Sequence, residues 1–199
     1  MKSKSSTHDF VLLALLVAVL IVLGLVNIPQ PAGLSITFNM IPVAIAAIAL
    51  GVKGGMIIGG AFGLISFLQC FGILGFSGMG AALVGISPFL SFIQRFVSRL
   101  LVGLLTALVY RLVRKKANIH VSSIITGFSA AFLNTLLFMS SLVLLFGNTE
   151  YLQGLIAGRS IIVFIIASVG INAVVEMIVS AVLTGAICAA LYKAKLIQD

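Results

Sequence analysis

The chain has 199 residues, of which 61% are hydrophobic and only 8% are charged. An ordinary soluble domain carries about 25% charged residues, so this composition excludes one and indicates a membrane protein. The net charge of +8 does not indicate nucleic-acid binding, because the basic residues stand between the apolar runs, as in cytoplasmic loops under the positive-inside rule.

Apolar runs of the length that a spanning helix needs recur along the chain. We predict six transmembrane helices, at residues 10–27, 38–50, 56–71, 91–113, 121–146 and 160–192. A signal peptide is the alternative for the first run, since Lys2 and Lys4 precede it, but no small-x-small cleavage site follows the run. The expected fold is therefore all-α, with one six-helix membrane domain over residues 1–199.

The placement of charge predicts the orientation of this domain. Six spans put both termini on one side, together with Lys53 in the short turn "GVKGG" and the basic connection at residues 111–116. That side is expected to be cytoplasmic, with residues 1–9 as a cytoplasmic tail. The connections at residues 27–37, 72–90 and 147–159 then lie outside, and the glycine-rich stretch at 71–88 is expected to pack as a loop or partial helix.

The sequence lacks three motifs that are typical of catalysis or nucleotide binding. It has no H-E-x-x-H zinc helix and no G-x-S-x-G elbow, and "GVKGGMIIGG" does not satisfy the phosphate-loop pattern G-x-x-x-x-G-K-[ST]. We therefore predict a protein that is not an enzyme and has no cofactor or metal site. Any step driven by ATP would need partner subunits.

A small-residue pair in the first helix belongs to a larger pattern. Ala14 and Ala18 stand four residues apart, a spacing that lets another helix approach closely. A basic tail, this pair, and "NMIPVAIAAIALGVKGG" as a proline-bearing second helix together resemble the substrate-binding S components of energy-coupling factor (ECF) vitamin transporters. The resemblance covers the whole chain in length and topology, and its most specific part lies in residues 10–63.

This resemblance implies a multi-pass protein of a bacterial plasma membrane that binds a vitamin with high affinity. It implies that Ala14 and Ala18 dock on a transmembrane coupling subunit and that two cytoplasmic ATPases drive the cycle. The S component is thought to topple in the lipid membrane to deliver its vitamin. No nucleic acid takes part.

The resemblance also places the substrate in the outer half of the domain, between the later helices. Arg95 and Arg99 share a helix face, and a guanidinium matches a carboxylate bidentately; the alternative is that both snorkel to the outer headgroups. Asn134 and Asn172 offer donors and acceptors, unless they serve helix-to-helix hydrogen bonds. From a wider polar set that includes Gln94 and Arg159, the predicted substrate-binding residues are Asn39, Phe67, Gln69, Arg95, Asn134 and Asn172.

Two further predictions concern Glu176 and the identity of the substrate. Glu176 is expected to satisfy a helix contact or to pair with an arginine. The chain has no tryptophan and only three tyrosines, which favours a small flexible anion over a flat aromatic vitamin. Pantothenate fits this description best, with pyridoxine or hydroxymethylpyrimidine as the nearest rivals and riboflavin or folate as further alternatives.

Functions of a different class stay open at this point. An intramembrane enzyme, a self-sufficient channel, a secondary transporter and a structural assembly subunit are the competing hypotheses. Secondary transporters commonly show inverted repeats with interrupted helices, and we find no matching halves here. Binding of a vitamin without ATP or partners would distinguish an S component from all of these.

Overall fold

The computed structural model of the protein describes residues 3–25, 28–29 and 35–197. Within these residues the chain is almost entirely helical, apart from a two-residue antiparallel ladder in which Ile28 pairs with Ile36. In chain order the elements are α1 (Ser3–Leu25), β1 (Ile28–Pro29), β2 (Ser35–Ile36), α2 (Met40–Leu68), α3 (Gly78–Ile86), α4 (Pro88–Phe92), α5 (Ser98–Arg114), α6 (Ile119–Phe146), α7 (Glu150–Ile156) and α8 (Ile161–Lys193). A 3-10 turn at Gln69–Phe71 follows α2, and a π-helical turn at Ile93–Val97 joins α4 to α5.

The helical prediction is confirmed, whereas the count of spanning segments differs. Six spans were predicted, but the described part of the chain contains five helical segments that are long and apolar enough to cross a bilayer. The difference arises at residues 38–50 and 56–71, which belong to one continuous segment. The five segments are Thr7–Leu25, Met40–Phe71, Pro88–Arg114, Ile119–Phe146 and Val169–Lys193.

Gly51 interrupts this long second segment. Its backbone has φ 67° and ψ −152°, a conformation that essentially only glycine adopts. A Cβ atom built on Gly55 would lie 3.4 Å from the Cβ of Ala47, although eight residues of a straight helix span about 12 Å. The chain therefore turns back at Gly51, and the two halves of α2 pack against each other beside the turn.

Side-chain caps fix where several helices begin. The Oδ1 atom of Asn118 accepts a 2.9 Å hydrogen bond from the backbone N–H of Val121 at the start of α6. Ser87 caps α4 in the same way, with Pro88 in the first turn, a position where proline loses no hydrogen bond. Helix α1 begins at Ser3, so residues 3–9, predicted as a tail, are helical. Residues 1–2 of that tail and residues 26–27 lie outside the described residues.

Large apolar side chains lie both in the core of the bundle and on its surface. Leu20, Val43 and Ile58 are fully buried between α1, α2 and their neighbours, while Leu144 and Ile171 are each 83% exposed. Apolar exposure of this extent suits contact with lipid. A second buried cluster, which includes Phe146, packs α3 and α7 against α6 and α8. It lies at the end of the bundle where α6 ends and α8 begins, which we call the cavity end.

Candidate functional site

A cavity of about 800 Å³, part of it open to the surroundings, lies among the helices at the cavity end. This volume includes space that is open to solvent, so it is an upper bound on the room available to a ligand. Helices α2, α5, α6 and α8 and the π-helical turn form most of its wall, and four residues from α3, the 3-10 turn and the connections complete it. The polar lining residues are Thr37, Ser66, Gln69, Ser77, Arg95, Arg99, Asn134, Thr135, Asn172 and Glu176, and the apolar ones are Phe62, Met79, Phe138, Met139, Val169 and Ala173.

The structure brings four of the six predicted substrate-binding residues together in this lining, namely Gln69, Arg95, Asn134 and Asn172. The other two lie outside it. Asn39 is 1% exposed at the start of α2, and its Oδ1 atom has no hydrogen-bond partner among the described residues.

The second predicted residue outside the lining is Phe67, whose ring packs edge-to-face against Phe71 and Phe92, with centroids 5.3 Å apart in both pairs. From the wider polar set, Gln94 is completely buried and does not line the cavity, while Arg159 is exposed between α7 and α8. Only some of the polar residues that were predicted from the sequence therefore line the cavity.

Gln69 is held by the fold. Its Nε2 atom donates to the carbonyl oxygen of Gly24 at 2.9 Å and to that of Leu74 at 3.2 Å. These bonds join the end of α1 to the 3-10 turn after α2 and use both amide protons. Gln69 therefore offers mainly its Oε1 atom to a ligand.

Arg95 is anchored to two serines that also line the cavity. Its Nη1 atom donates to the Oγ of Ser66 at 2.9 Å, and its Nη2 atom donates to the Oγ of Ser77 at 3.0 Å. The Nε atom has no partner within the described residues. These contacts connect α2, the π-helical turn and the start of α3, so Arg95 stabilises the wall of the cavity as well as lining it.

Arg99 has more donors available than Arg95. Its guanidinium lies between two aromatic rings, with Cζ 4.8 Å from the ring centroid of Phe62 and 5.0 Å from that of Phe138. Only its Nη1 atom donates to the protein, to the carbonyl oxygen of Arg95 at 3.2 Å, among the residues that the structure describes. These cation–π contacts hold the guanidinium in place, and its Nε atom, which has no partner among the described residues, leaves one edge available to an anion.

Close helix packing positions both arginines. A Cβ atom on Gly59 would lie 2.5 Å from the carbonyl oxygen of Arg99, and one on Gly63 would lie 2.8 Å from the Cα of Phe96. Larger residues would push α5 away. The spacing Gly55-x-x-x-Gly59-x-x-x-Gly63 was visible in the sequence, and it is the signal that would have identified this interface.

The π-helical turn contributes to the same arrangement. It widens the helix at Ile93–Val97 and contains Arg95, and Arg99 follows in the first turn of α5. Single π-helical turns inside α-helices occur frequently at functional sites. Arg95 and Arg99 are only 4% and 6% exposed, so the structure contradicts the alternative in which both side chains snorkel outward.

Glu176 was assigned to a helix contact from sequence, yet it lines the cavity. Its Oε1 atom accepts a 2.9 Å hydrogen bond from the backbone N–H of Thr37, directly after β2. The charges of Glu176 and Arg99 attract each other, but no salt bridge within 4.0 Å joins them. Glu176 stands one helical turn after Asn172, and this spacing was the available signal that the two share a face.

Asn134 supplies an unsatisfied acceptor to the cavity. Its Oδ1 atom is buried and has no hydrogen-bond partner in the part of the chain that the structure describes. A buried polar atom normally has a partner. Together with the available edge of Arg99, this atom indicates a site built for a ligand that has both an anionic group and hydrogen-bond donors.

The predicted docking pair lies on the surface of the bundle. Ala14 and Ala18 are both exposed, while Leu16 and Leu20 on the other face of α1 are 3% and 0% exposed. Helix α1 therefore packs on α2 through its leucines and presents its two small residues outward. Such a surface leaves room for another helix.

Comparison with known proteins agrees with this architecture. Residues 8–188 match the model of a protein family described as "ECF transporter, substrate-specific component". The chain is also 31% identical, over 210 aligned positions, to the pantothenic acid transporter PanT of Lactococcus lactis subsp. cremoris (strain MG1363). That alignment covers 96% of this chain and 97% of the relative. Since both matches extend over nearly the whole chain, the protein belongs to the family of substrate-specific components of ECF transporters.

Proposed function

We propose that the protein is the high-affinity pantothenate-binding subunit of an ECF importer. The observation that carries this proposal is the cavity, which holds Arg95, Arg99 and Asn134 inside a family member that is 31% identical to a pantothenic acid transporter. Pantothenate is a small flexible anion with one carboxylate, one amide and two hydroxyl groups. Each of these groups finds a complementary side chain in the lining.

In the proposed complex, the carboxylate of the ligand accepts hydrogen bonds from the available edge of Arg99 and from Nε of Arg95. Asn134 accepts a hydrogen bond from a hydroxyl or amide group, and Asn172 contributes from α8. Gln69 adds an acceptor at the edge of the site. Asn39 and Phe67 lie behind the lining, where Asn39 is buried and Phe67 packs on its aromatic neighbours, and we assign them a supporting role.

The character of the lining supports pantothenate over flat aromatic vitamins. The lining contains neither tryptophan nor tyrosine, and its two phenylalanines, Phe62 and Phe138, already flank the guanidinium of Arg99. Stacking of a riboflavin or folate ring would have to displace this arrangement or use the remaining ring faces. A ligand bound by hydrogen bonds needs neither this displacement nor the remaining ring faces.

The topology proposed for the membrane has six spans, with the two halves of α2 on either side of Gly51 as separate spans. Both termini and the basic connection at residues 111–116 would face the cytoplasm, and the cavity end would face outside. Ala14 and Ala18 would dock on a transmembrane coupling subunit. Two cytoplasmic ATPases would supply the energy, because the chain has no phosphate loop of its own.

The test is calorimetric titration of the purified chain, in detergent and without ATP or partners, with pantothenate, pyridoxine, riboflavin and folate. We expect pantothenate to bind tightly and the other three to bind weakly or not at all. Tight binding of another of these vitamins would retain the family and replace the substrate. Absence of binding by all four would favour a channel, a secondary transporter or an assembly subunit.

A further inference from the structure

The charged side chains of the cavity do not balance. Two arginines, Arg95 and Arg99, and one glutamate, Glu176, line it, which gives the lining a net formal charge of +1. A site that only had to attract anions would need no glutamate. The Glu176 carboxylate lies in the same wall of the cavity as Asn172, where it can contact an anionic ligand that the arginines hold.

The geometry of Glu176 leaves it available to a ligand. Its Oε1 atom is held by the backbone N–H of Thr37, and no other hydrogen bond to this carboxylate forms within the described residues. Arg99 and Glu176 both line the cavity, and no salt bridge within 4.0 Å joins them, so neither charge is committed to the other. The hydrogen bond to Thr37 fixes the direction of the carboxylate without neutralising its charge.

We propose that Glu176 is a specificity-determining residue that restricts the site to ligands with a single negative charge. The inference rests on the proposed function, since it takes pantothenate as the bound monoanion. One anionic group of the ligand pairs with the arginines, while Glu176 accepts a hydrogen bond from a hydroxyl or amide group of the same molecule. A second anionic group would meet the carboxylate of Glu176 as a like charge.

The physical basis is repulsion between two negative charges at a largely buried carboxylate. Like charges brought together at an interface repel each other and suppress the wrong partner, and specificity commonly depends on a repulsive element of this kind. Glutamine in place of Glu176 removes the charge and keeps an oxygen that can accept from Thr37. Aspartate keeps the charge on a shorter side chain.

The test compares two ligands of nearly equal size. One is pantothenate, and the other is its analogue in which the terminal hydroxymethyl group is oxidised to a carboxylate. Both are titrated into the purified full chain at about pH 8, where carboxylates are ionised. The variants are Glu176→Gln, Glu176→Asp and the control Glu150→Gln, which changes an exposed charge on α7 outside the cavity, and thermal unfolding confirms that each variant is folded.

We expect the wild type, Glu176→Asp and Glu150→Gln to prefer pantothenate over the dicarboxylate. In Glu176→Gln this preference should fall by about tenfold or more. An unchanged preference in folded Glu176→Gln overturns the inference alone, and so does the loss of binding to both ligands, because the charge of Glu176 would then be required for binding itself and not for the choice between the two ligands. Absence of pantothenate binding in the wild type overturns the proposed function, and the inference with it.

Discussion

The backbone N–H of Thr37 donates a 2.9 Å hydrogen bond to the carboxylate of Glu176, which lies 139 positions later in the chain. This bond joins the residue after β2 to the middle of α8 beside the cavity. At the other end of the connection between α1 and α2, the Nε2 atom of Gln69 donates to the carbonyl oxygen of Gly24 at the end of α1. The connection between α1 and α2 is therefore tied to the cavity wall at both of its ends.

Arg99 should contribute more to ligand binding than Arg95. Arg99→Lys keeps the charge but loses the planar guanidinium that lies between Phe62 and Phe138, and lysine does not replace arginine at stacked or bidentate sites. We expect pantothenate binding to weaken by about 1.5–3 kcal/mol, the value of hydrogen bonds to charged groups. Calorimetric titration measures this change.

The matched variant is Arg95→Lys, which loses the hydrogen bonds to Ser66 and Ser77. Its main effect should be a lower melting temperature of the ligand-free protein. If Arg95→Lys abolished binding at an unchanged melting temperature while Arg99→Lys bound normally, the roles assigned to the two arginines would have to be exchanged.

Asn134 should act directly on the ligand. Asn134→Ala removes the unsatisfied Oδ1 atom, so we expect binding to weaken by about 1–3 kcal/mol with little loss of stability. Asn172→Ala should weaken binding by a similar amount. Asn148→Ala, at an exposed position outside the lining, is the control. Normal affinity in Asn134→Ala would mean that the ligand does not reach α6.

Gly59 should be required for the position of Arg99. In Gly59→Ala the new Cβ atom would lie 2.5 Å from the carbonyl oxygen of Arg99, so α5 has to move. Overpacking of this kind usually costs about 1–3 kcal/mol, and we expect both the melting temperature and the affinity for pantothenate to fall.

The control for this substitution is Gly85→Ala in α3, where a Cβ atom meets nothing within 4 Å. Alanine is the better helix former, so this variant should be as stable as the wild type or slightly more stable. Equal behaviour of the two alanine variants would contradict the role of close α2–α5 packing.

Ala14 should matter for transport and not for binding. Ala14→Trp fills the exposed small-residue surface of α1, so a partner helix can no longer approach. We expect uptake by the assembled transporter to be lost, while calorimetric binding by the isolated chain stays within error of the wild type. Ala186→Trp, at an exposed position on α8, should retain both activities. Loss of binding in Ala14→Trp would show that the pair packs internally.

Local sequence determined the long helices, although α1 begins at Ser3 and not at residue 10, and α7 forms within the connection expected at residues 147–159. Hydropathy over about twenty residues reports the free energy of placing a segment in lipid, and it identified every long helix. Caps such as Asn118 act within three residues, so their effect is also local. The one change in the count of spans arose at Gly51, because a single residue there replaces the five-residue turn that was expected between two runs.

The same sequence also supplied the candidate polar residues, since polar side chains are costly inside a membrane. It did not decide which of them share a wall. The side-chain amide of Gln69 donates to Gly24 and Leu74, and Phe67 packs on other rings, although both residues were predicted to bind the substrate. Each outcome depends in part on a neighbour far away in the chain, which is Gly24 for Gln69 and Phe92 for Phe67.

By itself, then, the sequence determined a helical membrane protein, its family and the polar residues from which a site is built. The tertiary structure decided that Glu176 faces the cavity with Arg99, that Arg95 is committed to Ser66 and Ser77, and that Asn39 lies behind the wall. The physical reason is the distance along the chain over which each effect acts. Burial in lipid acts on each segment separately. The rotation and close approach of helices depend instead on contacts between residues that are distant in sequence, such as those of Gly59 with α5.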